Sequence, residues 1–94
     1  MEKFEVGMLA KALAGHDFGK LYVIIGVDEE YVYLADGKIR TMEKPKKKRK
    51  KHVQLIKETQ QVVVDKIRNN EKIQNEEIKR IIKLKLLQGG NADV

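Results

Sequence analysis

Residues 21–37 read LYVIIGVDEEYVYLADG, and their pattern decides the fold. In Leu21–Val27, β-branched and apolar residues recur at the strand period, so Val23, Ile25 and Val27 share one face and Tyr22 and Ile24 the other. Asp28-Glu29-Glu30 is a polar turn. Tyr31–Ala35 alternates strictly, with Val32 and Leu34 opposite in phase to Tyr31, Tyr33 and Ala35. Asp36-Gly37 then supplies a two-residue hairpin signal, because glycine tolerates the positive φ of a type I′ turn.

Working outward, residues 4–11 (FEVGMLAK) read as a preceding strand. Residues 38–42 read as the returning one, with Ile39 and Thr41 inward, and 53–56 as a fifth with Val53 and Leu55 in phase. Five short strands with tight connections inside about 58 residues imply a small, strongly bent antiparallel barrel, in which closure hides the sheet edges. Past residue 58 the period becomes helical. Thr59 is the expected N-cap of a helix over 60–69, which Asn69-Asn70-Glu71 breaks. Asn75 is the expected N-cap of a second helix, with Glu76 and Glu77 at its electropositive start, Lys83 and Lys85 near its end and Gly89-Gly90 as its stop.

Ile78, Ile81, Ile82 and Leu86 form one stripe of that helix, while Leu84 and Leu87 fall off it. A core of under 60 residues is marginal alone, so the stripe is expected to lie across the barrel as a lid. The expected fold class is therefore mainly β with C-terminal α. A barrel spans 1–58 with a basic loop at 44–51, a helical segment spans 59–88, and a frayed tail spans 89–94.

The 94 residues hold 20 Lys+Arg against 14 Asp+Glu, a net charge of +6. Its distribution is uneven: net −3 over residues 1–43, +7 over 44–51 (KPKKKRKK) and +2 over 52–94. Whatever binds anions is local. So dense a run repels itself unless an anion relieves it, and it reads as an exposed loop that contacts nucleic acid. Competing readings are a nuclear-import signal in Pro45-Lys46-Lys47-Lys48-Arg49-Lys50, or a solvated or acidic-lipid-binding loop.

The stretch AGHDFGK at 14–20 carries Gly15 and Gly19 four apart. Two glycines let backbone approach a sugar–phosphate chain with no Cβ in the way, and His16 and Lys20 can donate to phosphate. The blander alternative is a loop that only needs positive φ. Phe18 is the stacking candidate, whereas Tyr31 and Tyr33 are expected to cover the barrel exterior or to pack under the C-terminal helix.

Catalysis has little support. So short a chain has little room to enclose a substrate, and His16-Asp17 lacks the partners of a catalytic set. No metal cluster, cofactor motif or Cys is present in the sequence. No apolar run approaches the ~18–20 residues of a membrane span, and no signal-peptide pattern opens the chain, so a cytoplasmic protein is expected.

Val6-Gly7, the 14–20 loop and Val23-Ile24-Ile25-Gly26-Val27 together resemble the KOW motif, a strand–loop–strand unit of RNA-binding proteins in ribosomes and transcription. With Tyr31–Gly37, Arg40 and the basic run, the chain is similar to bacterial KOW-domain proteins related to the fourteen-e class of large-subunit ribosomal proteins. The resemblance covers residues 3–57, and the helices less specifically. It implies an SH3-like barrel that binds ribosomal or other structured RNA without enzymatic activity. The expected RNA-binding residues are Gly15, His16, Gly19 and Lys20 in the loop, Arg40, and Lys44, Lys46, Lys47, Lys48, Arg49, Lys50 and Lys51. Ribosomal members continue into a long basic helical extension, whereas this tail is short, nearly balanced in charge and Ile/Leu-rich. The resemblance thus supports RNA binding better than permanent residence in a ribosome. The alternative is a protein-interaction adaptor that uses the barrel and the apolar C-terminal helix, with the basic run incidental and the helix open to a protein partner or a second copy.

Overall fold

The computed structural model describes residues 3–92. An antiparallel sheet holds β1 (Met8–Ala12), β2 (Leu21–Val27), β3 (Tyr31–Ala35), β4 (Lys46–Arg49) and β5 (Val53–Thr59), with a 3₁₀ turn at Lys50–His52 joining the last two. Two helices follow, α1 (Gln61–Arg68) and α2 (Asn75–Ala92). The spatial order is β4-β3-β2-β1-β5, so β4 and β5 are the edges. The fold is mainly β with C-terminal helices, as the periodicity implies.

The period-2 pattern of β2 and β3 divides the core in two. Tyr22, Ile24, Val32 and Leu34 point to one side, where they bury with Ala10, Ala12, Val53 and Leu55. No helix residue belongs to this cluster, so the curvature of the sheet covers that face. Val23 and Ala35 point to the other side and meet Leu9, Val63 of α1, Ile73 and Ile78 of α2. Ile81 and Ile82 pack on its margin, so the lid exists. Leu86 does not belong to it: it is 60% exposed, with Leu84 and Leu87 similarly uncovered. The helix has outrun the sheet by its third turn.

Several local expectations need correction. The first strand starts at Met8 rather than residue 4, because Gly7 turns at φ +96° and Met8 N–H bonds back to the Glu5 carbonyl. Residues 38–42 form no strand. The Asp36 carboxylate instead accepts from the N–H groups of Lys38 and Arg40, both at 2.9 Å, closing a wider loop than a two-residue hairpin. Gly37 sits there at φ +81°, so close under α2 that a Cβ would fall 2.4 Å from the Asn75 carbonyl oxygen.

The basic run is not a loop. Lys46–Arg49 pairs with β3 in the register Leu34↔Lys46 to Tyr31↔Arg49, and the return strand is therefore this one. An edge strand needs only its backbone and one row of side-chain stems in contact, so long cationic side chains keep their heads in water.

The helix ends also differ. Thr59 belongs to β5, and α1 runs over 61–68 with Gln60 as its cap. At its far end Asn70 adopts φ +58°, while Glu71 N–H reaches the Lys66 carbonyl and Asn70 N–H the Ile67 carbonyl. This pair of bonds is a Schellman ending, the break expected at 69–71. Asn75 does not cap α2. Its side chain accepts from Met42 N–H and donates to Glu43, while Glu77 reaches back to Gln74 N–H at 2.8 Å as half of a capping box. Gly89-Gly90 does not stop the helix, which continues to Ala92. Glycine weakens a helix by about 1 kcal/mol but ends it only when it takes the left-handed conformation. Of the expected tail, residues 93 and 94 lie outside the described residues.

Candidate nucleic-acid interface

The β1–β2 loop and the start of β4 converge. Gly15 and Gly19 sit at φ +81° and +84°. Turn bonds from Phe18 N–H to Gly15, Lys20 N–H to Asp17 and Gly19 N–H to Ala12 set the loop's path. The positive-φ reading of the glycines is therefore correct. It leaves the close-approach reading intact, since the space beside Gly19 is open and only Lys48 Nζ, at 3.9 Å, stands near a Cβ at Gly15. His16 is exposed, and Phe18 is 70% exposed beside it.

Two of the lysines are turned inward to this loop. Lys46 Nζ lies 2.7 Å from Asp17, and Lys48 Nζ donates to the Ala14 carbonyl at 3.0 Å. Lys20 is 4.0 Å from the same carboxylate. Lys46 beside it holds the Asp17 carboxyl below its usual range, against burial that pushes the other way. Burial first, and then the nearby Asp17 charge, push the Tyr22 hydroxyl up to about 12. Asp36 and Arg40 act on Tyr22 with opposite signs, and Arg40 itself sits half-buried in the turn that Asp36 closes.

The alternate residues of β4 face out. Lys47 Nζ stands 4.3 Å above the Tyr31 ring and Arg49 Cζ 5.3 Å from it, both within cation–π range. The neighbouring Tyr33 ring lies over Gly26, where a Cβ would come within 3.1 Å. Tyr31 and Tyr33 both lie half-buried on this face of the sheet, and Tyr31 is the floor for the cations. Beyond β4, Lys50 Nζ is 5.7 Å from the Phe4 ring, Lys51 is exposed, and Lys44 is exposed in the loop before the strand.

The twelve expected residues thus fall into distinct groups. Gly15, Gly19, Lys20, Lys46 and Lys48 gather at the β1–β2 loop, with His16 exposed in it. Lys47 and Arg49 line the opposite face of β4, Lys44, Lys50 and Lys51 flank the strand, and Arg40 stands apart in the turn that Asp36 closes. Among the described residues, none of Lys44, Lys47, Arg49, Lys50 and Lys51 is in an ion pair. Asp17, the organiser of the inward group, is absent from the expected set. Its signal was available as the sole acid of the 14–20 loop, in a chain whose basic run needs a counter-charge.

No three His, Cys, Asp or Glu side chains gather among the described residues in a way that could hold a metal ion. No helix of the described residues is long and apolar enough to cross a membrane. Compared with known proteins, the chain matches no protein-family model and no curated protein.

Proposed function

We propose that this chain is a non-enzymatic RNA-binding module that holds structured RNA, ribosomal RNA being the leading candidate, along β4 and its flanks. The observation that carries the reading is the rigid extension of the basic run. A strand sets alternate residues about 6.7 Å apart, a spacing comparable with successive phosphates of a nucleic-acid chain. Lys47 and Arg49 form such a pair, unneutralised and supported by Tyr31. Lys44, Lys50 and Lys51 continue the positive track at both ends, and the exposed glycine loop with Lys20 lies on the neighbouring flank.

The same geometry supports reading the bent sheet as an SH3-like barrel of the KOW kind. Leu13 N–H donates to the His52 carbonyl at 2.8 Å and Lys48 to Ala14. Both bonds draw the β4–β5 connection onto the end of β1. Phosphates carry no base identity, so recognition of this kind selects RNA by shape, in keeping with a cytoplasmic role in translation.

Salt-dependent binding of the isolated chain to a structured RNA tests the proposal. Five free cations give a log K against log salt slope of about −3.5 by the single-strand coefficient. Co-sedimentation with ribosomal particles that is lost at high salt is the companion result. Absence of RNA binding at 50 mM salt, or binding with no salt dependence, would overturn the proposal.

A further inference from the structure

On the flank where the β1–β2 loop nears α2, an apolar groove of about 770 Å³ runs between Lys20-Leu21, the 36–39 turn and the middle of the helix, residues 79–87. Its floor is aliphatic: Leu21, Ile39, Ile82, Leu86 and Leu87. Ile39 is 73% exposed and Leu87 57%, although both are large apolar side chains. The rim is cationic, formed by Lys20, Lys38, Lys79 and Lys83. Its one acid, Asp36, already accepts two backbone N–H bonds through Oδ1.

We infer that this groove docks an amphipathic helical segment of a protein partner, one whose apolar stripe is flanked by Asp and Glu. The dimensions fit. Lys79 to Leu87 spans about 12 Å of α2, two helical turns, which accommodates anchors at i, i+3 or i+4, and i+7 of a helix laid alongside. Charge complementarity selects the partner, because acidic flanks meet the lysine rim on both sides of the stripe.

A second copy is a poor occupant. A two-fold α2–α2 contact through this groove would set the Lys79 and Lys83 rim of one chain against the same lysines of the other. RNA is a poor occupant too, since the lining offers neither an aromatic ring nor an arginine for a base to stack on. The inference does not rest on RNA binding by β4.

The test uses the full chain and a fluorescein-labelled 16-residue helical peptide with a Leu stripe flanked by Glu. Controls are its scrambled isomer and a Lys-flanked version with the same stripe. Anisotropy should give saturable binding of the acidic helix, at least tenfold tighter than either control. Ile39→Glu and Leu87→Glu, both at exposed positions, should each weaken it at least tenfold while RNA affinity moves by less than twofold. Amide shift perturbations in the wild-type chain should map to residues 19–21, 36–39 and 79–87. Equal binding of the scrambled peptide, shifts confined to 44–51, or loss of RNA rather than peptide in the groove variants would each overturn the inference. So would a wild-type dimer that Leu87→Glu dissociates.

Discussion

The two faces of β4 carry nearly the same side chains and have different jobs. Lys46 and Lys48 face the β1–β2 loop, where Asp17 and the Ala14 carbonyl take their ammonium groups. Lys47 and Arg49 face outward over Tyr31, with no acid to meet them among the described residues. Charge type is constant along the strand, so the difference comes from position alone. The inward pair holds the sheet to its loop, and the outward pair is left to attract an anion. A run of like charges is thus split by the pleat into a fastening and an unpaired, outward-facing pair, the part proposed to bind.

The widest test of this division replaces the five unpaired cations Lys44, Lys47, Arg49, Lys50 and Lys51 with Gln. RNA affinity at 50 mM salt should drop at least a hundredfold and most of the salt slope should vanish. The urea midpoint should stay near that of the wild type, because these groups are solvated. The converse variant, Lys46→Gln with Lys48→Gln, should lower stability by about 1 kcal/mol, the scale of partly exposed charged hydrogen bonds. Its salt slope should change little. An exchange of these two outcomes would break the comparison.

Asp17→Asn sharpens it further. With the carboxylate neutralised, Lys46 and Lys20 are released, and the RNA salt slope should steepen by about 0.7–1.4. The Asp17 carboxyl lies below its unfolded value, so its contribution is present above the unfolded range and is lost as pH falls through the folded one. The variant should therefore be less stable than wild type near neutrality, with the gap closing in acid below about pH 4. Urea titrations across that range measure it.

The smallest effect concerns Tyr22. With its hydroxyl pushed up to about 12, one of the three tyrosines should ionise only in strong alkali, seen as a late step in absorbance near 295 nm that Tyr22→Phe abolishes. The raised value means that this contribution to stability is intact below the ordinary tyrosine range and is lost as pH climbs from there through the folded value of about 12.

Much of the fold was legible where side-chain types alternate. β2 and β3 occupy 21–27 and 31–35 as read, and their phases assign both cores as far as Ile25. A bulge between Ile24 and Gly26 then sets Val27 opposite Val32, out of phase with Val23, and leaves it outside the core. The reading failed where alternation carries no information. In KKKR every position is cationic, so a period of two is invisible, and the charge density argued for a loop. The neighbouring KIRTM looked more strand-like, yet the Asp36 side chain binds its backbone into a turn. Asn75 was legible as a special residue but not in its role. A side chain that can cap a helix can equally bond a distant backbone, and here Met42 N–H claims it. The lid was legible as far as Ile82. Leu86 failed because helical spacing says which residues share a face, not how far the sheet beneath extends.

β4 is also the last strand on its side, and its outer backbone donors and acceptors have no neighbour in the sheet. Such a border invites another chain to add itself, the usual beginning of a fibre. Four consecutive cations make a second β4 a repulsive neighbour, so the residues offered to a polyanion also keep copies of the chain apart. Neutralising them therefore removes two things at once. Variants that lose their charge lose this guard permanently, whereas a bound polyanion, while it occupies the strand, cancels the charge but stands in the approach path itself.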